Sequence, residues 1–187
     1  MKSLCFILGL VVCAVLTGCA GGHLTTTSDV GNPAGVKLSR PSHIYVTPID
    51  TTQGAWKSAG KDLTDLQAKV KHDLENDLVR ELNEIAPTTV GFGNSSSGWQ
   101  LVVTIVHVDP GSATMRELVG LGAGQSKITV TFSIDDHGAQ SLSGQVDADT
   151  GAEMGLHSVV MEGNNRDASR VAREIRNYLE DRLRSPN

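Results

Sequence analysis

The chain has few of the residues that disulfides, sugar-stacking surfaces and nucleic-acid sites require. Its three cysteines, Cys5, Cys13 and Cys19, all lie near the N-terminus, so the chain beyond Cys19 can form no disulfide and no cysteine metal site. Only 4% of the residues are aromatic, which is too few for an extended sugar-stacking surface. The formal net charge is −5, whereas phosphate backbones attract basic surfaces. We therefore expect no nucleic-acid partner.

Common catalytic and metal-binding motifs are also absent from the sequence. The six histidines do not occur at the spacing of zinc ligands. Gly93–Ser97 lacks the closing glycine of a nucleophile elbow, and Asp147–Gly151 begins like a calcium loop but lacks the terminal glutamate. We therefore predict no metal, no cofactor and no enzymatic activity. A hydrolase or transferase with an unrecognised site is the alternative.

No apolar run is long enough to cross a membrane as a helix. The longest, Leu4–Leu16, follows the basic residue Lys2 and falls short of the roughly 20 residues that a spanning helix needs, as in the apolar region of a signal peptide. It ends in a motif that resembles the lipobox of bacterial lipoproteins: Leu16, Thr17, Gly18 and Cys19. Small residues let a peptidase approach the backbone, and the thiol can accept diacylglycerol. An ordinary secretory signal with a chance cysteine is less favoured, because the motif stands at the end of the run.

Cleavage before Cys19 would make residues 1–18 a lipoprotein signal peptide. Several acyl chains on Cys19, palmitate among them, would hold the protein stably to a membrane. Only Lys2 is charged in the removed segment, so the net charge changes from −5 to −6. The next residue is Ala20, and by resemblance to the sorting rule of Gram-negative lipoproteins the absence of aspartate there indicates the outer membrane, facing the periplasm. The inner membrane is less favoured.

Two regions follow the signal peptide. Residues 19–42 combine the lipidated cysteine with glycine, serine, threonine and two prolines, and they show no sustained hydrophobic period. This composition predicts a flexible tether. Residues 43–187 are predicted to form a single α+β domain.

Hydrophobic periodicity defines the elements of that domain. Helices are predicted over 61–86, ended by Pro87, and over 165–184, with Asn164 or Asn165 as N-cap. Strands are predicted near 43–49, 99–108, 126–135, 140–149 and 156–161. Pro48 indicates a strand end or a sheet edge. The result is a two-layer sandwich with two helices on one face of a mostly antiparallel sheet of four or five strands.

The helical stripes give the expected core. In the first helix, apolar residues recur every three or four positions: Leu63, Leu66, Val70, Leu74, Leu78, Leu82 and Ile85. His72 falls on the opposite, solvent side. The second stripe contains Ala168, Val171, Ala172, Ile175, Leu179 and Leu183. Four arginines, Arg166, Arg170, Arg173 and Arg184, fall opposite this stripe and could meet membrane head groups, although a solvated helix face is favoured.

The segment Asp109–Gln125 carries a family resemblance. The features that carry it are Gly111, Arg116, the three alternate glycines Gly120, Gly122 and Gly124, the alternating strand after them and the Asp135–Gly138 turn. In these features the chain resembles a family of bacterial lipoproteins known as domain of unknown function 4410. The resemblance implies an α+β lipoprotein domain, similar to the N-terminal domain of TolB-like envelope proteins. It implies no activity, because none is assigned to the family.

The three glycines and Arg116 each allow two interpretations. The glycines could let a partner or an anion approach the backbone, or they could relieve crowding within the domain, which we favour. Arg116 could clamp an anion or pair with a nearby carboxylate such as Glu117, and we favour the pair. The sequence therefore predicts a membrane-anchored module that binds an envelope protein, with an enzyme acting on an envelope component as the alternative.

Overall fold

The computed structural model describes residues 25–30, 37–58, 62–93, 98–111, 125–136, 141–149 and 160–183. Within these ranges the elements, in chain order, are β1 (Thr25–Asp29), β2 (His43–Val46), β3 (Ala55–Trp56), α1 (Leu63–Leu82), β4 (Thr88–Val90), β5 (Gly98–Asp109), β6 (Lys127–Asp135), β7 (Ser141–Asp149) and α2 (Val160–Leu183). The predicted α+β class and the two helices are confirmed.

The sheet has seven strands and is mixed, which corrects the prediction of four or five mostly antiparallel strands. Its order is β1-β7-β6-β5-β2-β4, with β3 paired to the C-terminal end of β5. Strands β5, β6, β7 and β1 pair antiparallel, whereas β2 runs parallel to both β4 and β5, and β3 runs parallel to β5. The crossover through α1 returns the chain to the same end of the sheet, which makes the pairing of β2 with β4 parallel.

Three short strands account for the difference in number. Strand β3 has two residues and β4 has three, and neither has an alternating pattern of its own. Strand β1 lies within 19–42, the region predicted to be a flexible tether, and it pairs with β7 from Thr25↔Ala148 to Asp29↔Gly144. That prediction is therefore wrong for residues 25–29, and also for the described residues 37–42, where Leu38 is buried in the core and Arg40 donates to the backbone oxygen of Ile85. Residues 25–29 have no hydrophobic pattern that would predict a strand. They form one because their backbone groups find hydrogen-bond partners on the edge of β7.

Helix α1 begins and ends inside its predicted limits. Asp62 caps the N-terminus, because its carboxylate accepts a bond from the N–H of Thr64 at 2.7 Å. The helix ends at Leu82, and Asn83 then accepts a bond from the N–H of Thr88 at 2.8 Å, which turns the chain into β4. Ile85 is buried in this turn, although it lies beyond the helix.

Helix α2 begins earlier than predicted. It spans Val160–Leu183, so the predicted strand over 156–161 is wrong for its last two residues, and residues 156–159 lie outside the described ranges. Asn164 and Asn165 stand inside the helix rather than at its N-cap. The start of the helix precedes its apolar stripe, which is why periodicity placed the start too late.

The core lies between the helices and one face of the sheet. Both helical stripes are buried, and the side chains of Leu74 and Ile175 have no exposed surface. Two stripe residues are exceptions, since Leu63 is exposed in the first turn of α1 and Leu183 is only partly buried in the last turn of α2. His72 is exposed, as predicted. The even-numbered residues of β6 and β7 face the helices, among them Ile128, Val130, Phe132, Ile134, Leu142 and Val146.

Candidate functional site

The residues predicted for lipidation and recognition lie outside the described part of the chain. They are Leu16, Thr17, Gly18 and Cys19 of the lipobox, and Arg116, Gly120, Gly122 and Gly124 of the glycine-rich segment. The role of each stays a prediction. The described chain ends at Gly111, before the glycine-rich segment, and resumes at Gln125, after it. We call these two points the first and the second junction, and the structure shows the residues around each of them.

The first junction is a tight turn stabilised by a carboxylate. Gly111 has a backbone φ of +70°, in the left-handed region that glycine favours. Its N–H donates to Asp109 Oδ1 at 2.9 Å, and Lys57 Nζ donates to Asp109 Oδ2 at 2.7 Å. Burial alone would raise the pKa of Asp109, but the bonds from Lys57 and Gly111 outweigh it and lower the pKa below its ordinary value. Gly111 thus has a structural role of its own.

The second junction leads into a buried polar cluster. Ser126 Oγ donates to Asp167 Oδ2 at 2.7 Å, and both residues have no exposed surface. Arg170 Nη1 lies 3.7 Å from Asp167 Oδ1 and donates to the backbone oxygen of Asp149 at 2.6 Å. The cluster joins the start of β6, the end of β7 and α2. This cluster was not predicted from the sequence, although a carboxylate beside Ala168 in the apolar stripe is a local signal for it.

A polar groove of about 620 Å³ separates the exposed sides of the two helices. Its lining residues are Asp73, Asn76, Asp77, Arg80, Ser169, Arg170 and Arg173. Arg80 lies 2.6 Å from Asp77 and donates to Ser169 Oγ at 3.1 Å, which links α1 to α2. Burial raises the pKa of Asp77, and the attraction of Arg80 opposes this only in part. Asp77, Arg80 and Ser169 bond to one another, and Asp73, Asn76 and Arg170 bond to residues outside the lining, so the groove contributes mainly to the contact between the helices.

The basic face predicted for α2 is only partly present. Arg170 turns toward the sheet, because it bonds to Asp149 and lies close to the buried Asp167. Arg173 is exposed and lines the groove. The side chains of Arg166 and Arg184 lie outside the described part of the structure. The described arginines therefore do not form a continuous basic surface.

The sheet face opposite the helices is open and mixed in polarity. Val102 and Val106 are 39% and 40% exposed there, in the middle of the sheet. Nearer the start of β5, Gln100 forms a polar network, since its amide donates to Thr47 Oγ1 at 2.5 Å and accepts from the N–H of Gly93 at 2.9 Å. This face offers apolar contact beside satisfied polar groups.

The largest exposed apolar side chain of the described residues stands beside the β4 edge of the sheet. Phe92 is 78% exposed, and Val90 in β4 is 41% exposed. The N–H of Gly91 donates to the backbone oxygen of Val46 at 2.8 Å and holds the chain against β2. A Cβ atom at Gly93 would lie 2.0 Å from the ring of Tyr45, so the chain after Phe92 packs tightly. We call Val90 and Phe92 the β4 corner. No local pattern in the sequence predicts this corner.

Two features are absent from the described residues. No group of three or more histidine, cysteine, aspartate or glutamate side chains converges on a common metal position. No helix within the described ranges combines the length and the hydrophobicity that crossing a membrane requires.

Comparison with known proteins finds one family. The family model for a domain of unknown function, DUF4410, matches residues 39–164. No curated protein matches the chain. The family description assigns no activity.

Several solved structures are similar at low sequence identity. The PelC dodecamer from Paraburkholderia phytofirmans has 13% identity and a TM-score of 0.46, and the match covers 87% of this chain and 100% of that chain. Protein XCC0632 from Xanthomonas campestris, of the DUF330 family, has 12% identity and a TM-score of 0.45, with coverage of 86% and 94%. A candidate lipoprotein from Caulobacter crescentus CB15 has 13% identity and a TM-score of 0.39, with coverage of 72% and 88%.

Proposed function

The chain belongs to the family of domain of unknown function 4410, and we propose that it is an outer-membrane lipoprotein whose folded domain binds another envelope protein without catalysing a reaction. The lipobox supports the anchor, because Cys19 directly follows small residues at the end of the only long apolar run. Ala20 supports the outer membrane over the inner membrane. The partner is an envelope protein because the domain would face the periplasm.

The exposure of Phe92 carries the proposal of a binding role. Covering an exposed phenylalanine with a partner gains about 1.5–3 kcal/mol, so its exposure beside a sheet edge is a source of affinity. Strand β4 pairs only with β2 in the described sheet, and a free edge can accept an extended segment of another protein. Val90 adds apolar surface next to that edge.

Lipidation is tested by replacing the acceptor. The natural protein should carry acyl chains on Cys19 as its first residue, whereas Cys19→Ala should accumulate as an unprocessed precursor at the inner membrane. Intact-mass analysis and membrane fractionation measure both. A mature N-terminus at another position, without acyl chains, would contradict the lipoprotein assignment.

The binding role is tested by photo-crosslinking in living cells. A photoreactive amino acid at position 92 or 90 should capture a discrete envelope protein. The same residue at position 106 is a matched control, since Val106 and Val90 are 40% and 41% exposed but only Val90 lies at the edge. Capture at 106 alone would assign binding to the open sheet face, and no specific capture at any of these positions would argue against a protein partner.

A further inference from the structure

The predicted lipid anchor lies close in sequence to the first described strand. If Cys19 is acylated, which is the proposed function, only residues 20–24 separate it from Thr25 of β1. Six residue steps span at most about 22 Å when fully extended. This limit holds for every conformation of that segment.

Strand β1 is held to the domain and therefore cannot lengthen the connection. It pairs with β7 over its whole length. Arg182 on α2 donates to both carboxylate oxygens of Asp29 at 2.7 Å, and the Tyr178 hydroxyl donates to the same carboxylate. Farther along the chain, the N–H of Leu38 donates to the backbone oxygen of Arg182 at 3.1 Å.

The register of the sheet shows at which end of the sheet Thr25 lies. Thr25 pairs with Ala148, Ala148 pairs with Ile128, and Ile128 pairs with Val108. Thr25 is thus level with the end of β5. Gly98, at the start of β5, is ten residues from Val108, or about 33 Å at about 3.3 Å per residue. Because this exceeds the reach of the connection, the domain cannot rest on the Gly98 end while Cys19 stays at the membrane.

The same reasoning applies across the sheet. Five strand spacings separate β1 from β4 in the sheet order, which is about 24 Å at about 4.8 Å each. Val90 lies beside Val46 and Leu101 in the register, and is therefore much nearer the Gly98 end of the sheet than Thr25 is. The β4 corner therefore lies diagonally opposite the point where the anchor enters the sheet.

We infer that the sheet end formed by Lys57, Asp109, Lys127 and Asp149, which we call the anchor-side end, faces the lipid head groups, and that the β4 corner points away from the membrane. Asp109 pairs with Lys127, and Lys127 pairs with Asp149, in the sheet register. The docking partner of this end is thus the bilayer surface that holds the acyl chains.

Charge contributes little to this orientation. Lys57 pairs with Asp109 at 2.7 Å, and Lys127 lies 3.3 Å from Asp147, so both exposed lysines already have carboxylate partners. Among the residues that the structure describes, the anchor-side end therefore has no surplus of basic groups for anionic lipids. The short connection imposes the orientation, and added salt should leave it unchanged, in contrast to a polybasic surface.

The test uses one introduced thiol at either end of one strand. Lys127 and Asp135 are exposed residues at opposite ends of β6, and acylated Cys19 leaves no other free thiol after cleavage of the signal peptide. Lys127→Cys and Asp135→Cys are each labelled with a fluorophore. The lipidated proteins are reconstituted in vesicles of phosphatidylethanolamine and phosphatidylglycerol that contain a head-group quencher. The label at 127 should be quenched severalfold more than the label at 135, at low and at high salt.

Two controls separate the possible failures. A long Gly-Ser insertion between Cys19 and Thr25 should make the two labels equally quenched. Lipidated protein with equal quenching at 127 and 135, or with stronger quenching at 135, would overturn the orientation alone. A mass spectrum without acyl chains would overturn the orientation and the lipoprotein assignment together.

Discussion

Arg182 Nη2 lies 2.7 Å from each carboxylate oxygen of Asp29, and this ion pair links the last turn of α2 to strand β1. The Arg182 guanidinium also lies 5.0 Å from the centre of the Tyr178 ring. The pair holds β1, whose composition indicates a flexible tether, against α2 at the other end of the folded chain. Under the proposed acylation of Cys19, it shortens the free connection to that residue.

Replacing Asp29 should loosen β1 without unfolding the domain. In Asp29→Ala, Arg182 and Tyr178 lose their acceptor, so amide exchange in residues 25–29 should quicken while the core of α1 stays protected. Because Asp29 is partly exposed, the loss of global stability should stay below about 1 kcal/mol. Hydrogen exchange and denaturant unfolding measure the two effects. Asp29→Asn keeps one acceptor and should fall between, and unchanged exchange in Asp29→Ala would show that β1 is held by its pairing with β7 alone.

Gly144 should not tolerate a side chain. A Cβ atom there would lie 2.6 Å from Phe132 Cζ and 3.1 Å from the backbone oxygen of Ser28. Phe132 packs edge-on against Tyr178 with ring centres 5.2 Å apart, so it cannot move without disturbing α2. Gly144→Ala should therefore cost about 1–3 kcal/mol in thermal unfolding. Adding Phe132→Leu to this variant should recover part of the loss, and a Gly144→Ala variant with the wild-type melting temperature would contradict the packing.

The two sides of α1 should respond oppositely to a charge. Leu74 is fully buried, and an unpaired carboxylate at that position costs several kcal/mol against a typical stability of about 5–15 kcal/mol, so Leu74→Asp should unfold the domain. Ile175→Asp in α2 should do the same. His72→Asp, on the exposed side, should be nearly silent. Circular dichroism separates these outcomes, and an unfolded His72→Asp variant beside a folded Leu74→Asp variant would invert the assigned faces.

Acid should remove a stabilising contribution of Asp147. Burial would raise its pKa, but bonds from Thr129 at 2.7 Å, Gln145 at 2.8 Å and Lys127 outweigh it and lower the pKa below 3.8. A carboxyl group whose pKa is lower in the folded state stabilises the fold above its unfolded pKa, and that contribution is lost as the pH falls through the folded pKa. Asp147→Asn should thus flatten the loss of stability as the pH falls below about 4 in urea titrations. Thr129→Val should flatten it in part, and an acid response identical to wild type in both variants would remove Asp147 as its source.

The glycine-rich segment lies outside the described residues and can be tested by substitution. If the glycines serve packing, Gly122→Val should lower the melting temperature of a soluble form that begins at Ala20, by a penalty of about 1–3 kcal/mol. Arg116→Ala should then cost little. If the segment instead recognises a partner, both variants should melt normally and lose the partner in pull-down experiments. A Gly122→Val variant with wild-type melting would refute the packing interpretation.

Local periodicity explains which elements the sequence could predict. The stripes around Leu74 and Ile175 repeat at helical spacing, and the alternation from Ile128 to Ile134 repeats at strand spacing. Such patterns depend on neighbours along the chain, so they survive without knowledge of the fold. The same logic placed His72 on the solvent side.

Short and polar elements could not be predicted in this way. Thr25–Asp29 has no apolar period, and Ala55–Trp56 is too short to show one. Each becomes a strand because a neighbouring strand supplies its hydrogen-bond partners. The exposure of Phe92 depends likewise on where the β4 edge ends, which no local pattern shows.

The sequence by itself determined the α+β class, the two helical stripes, the strands β6 and β7, and the lipobox that leads to the proposal of an anchor, because each rests on residues close together in the chain. The tertiary structure decided that the sheet is mixed, that β1 belongs to it, and that Asp167 is buried against Ser126. These features depend on contacts such as Asp29 with Arg182, between residues 153 positions apart. Only the folded chain brings such groups together, because their attraction has no counterpart in the local pattern of either segment.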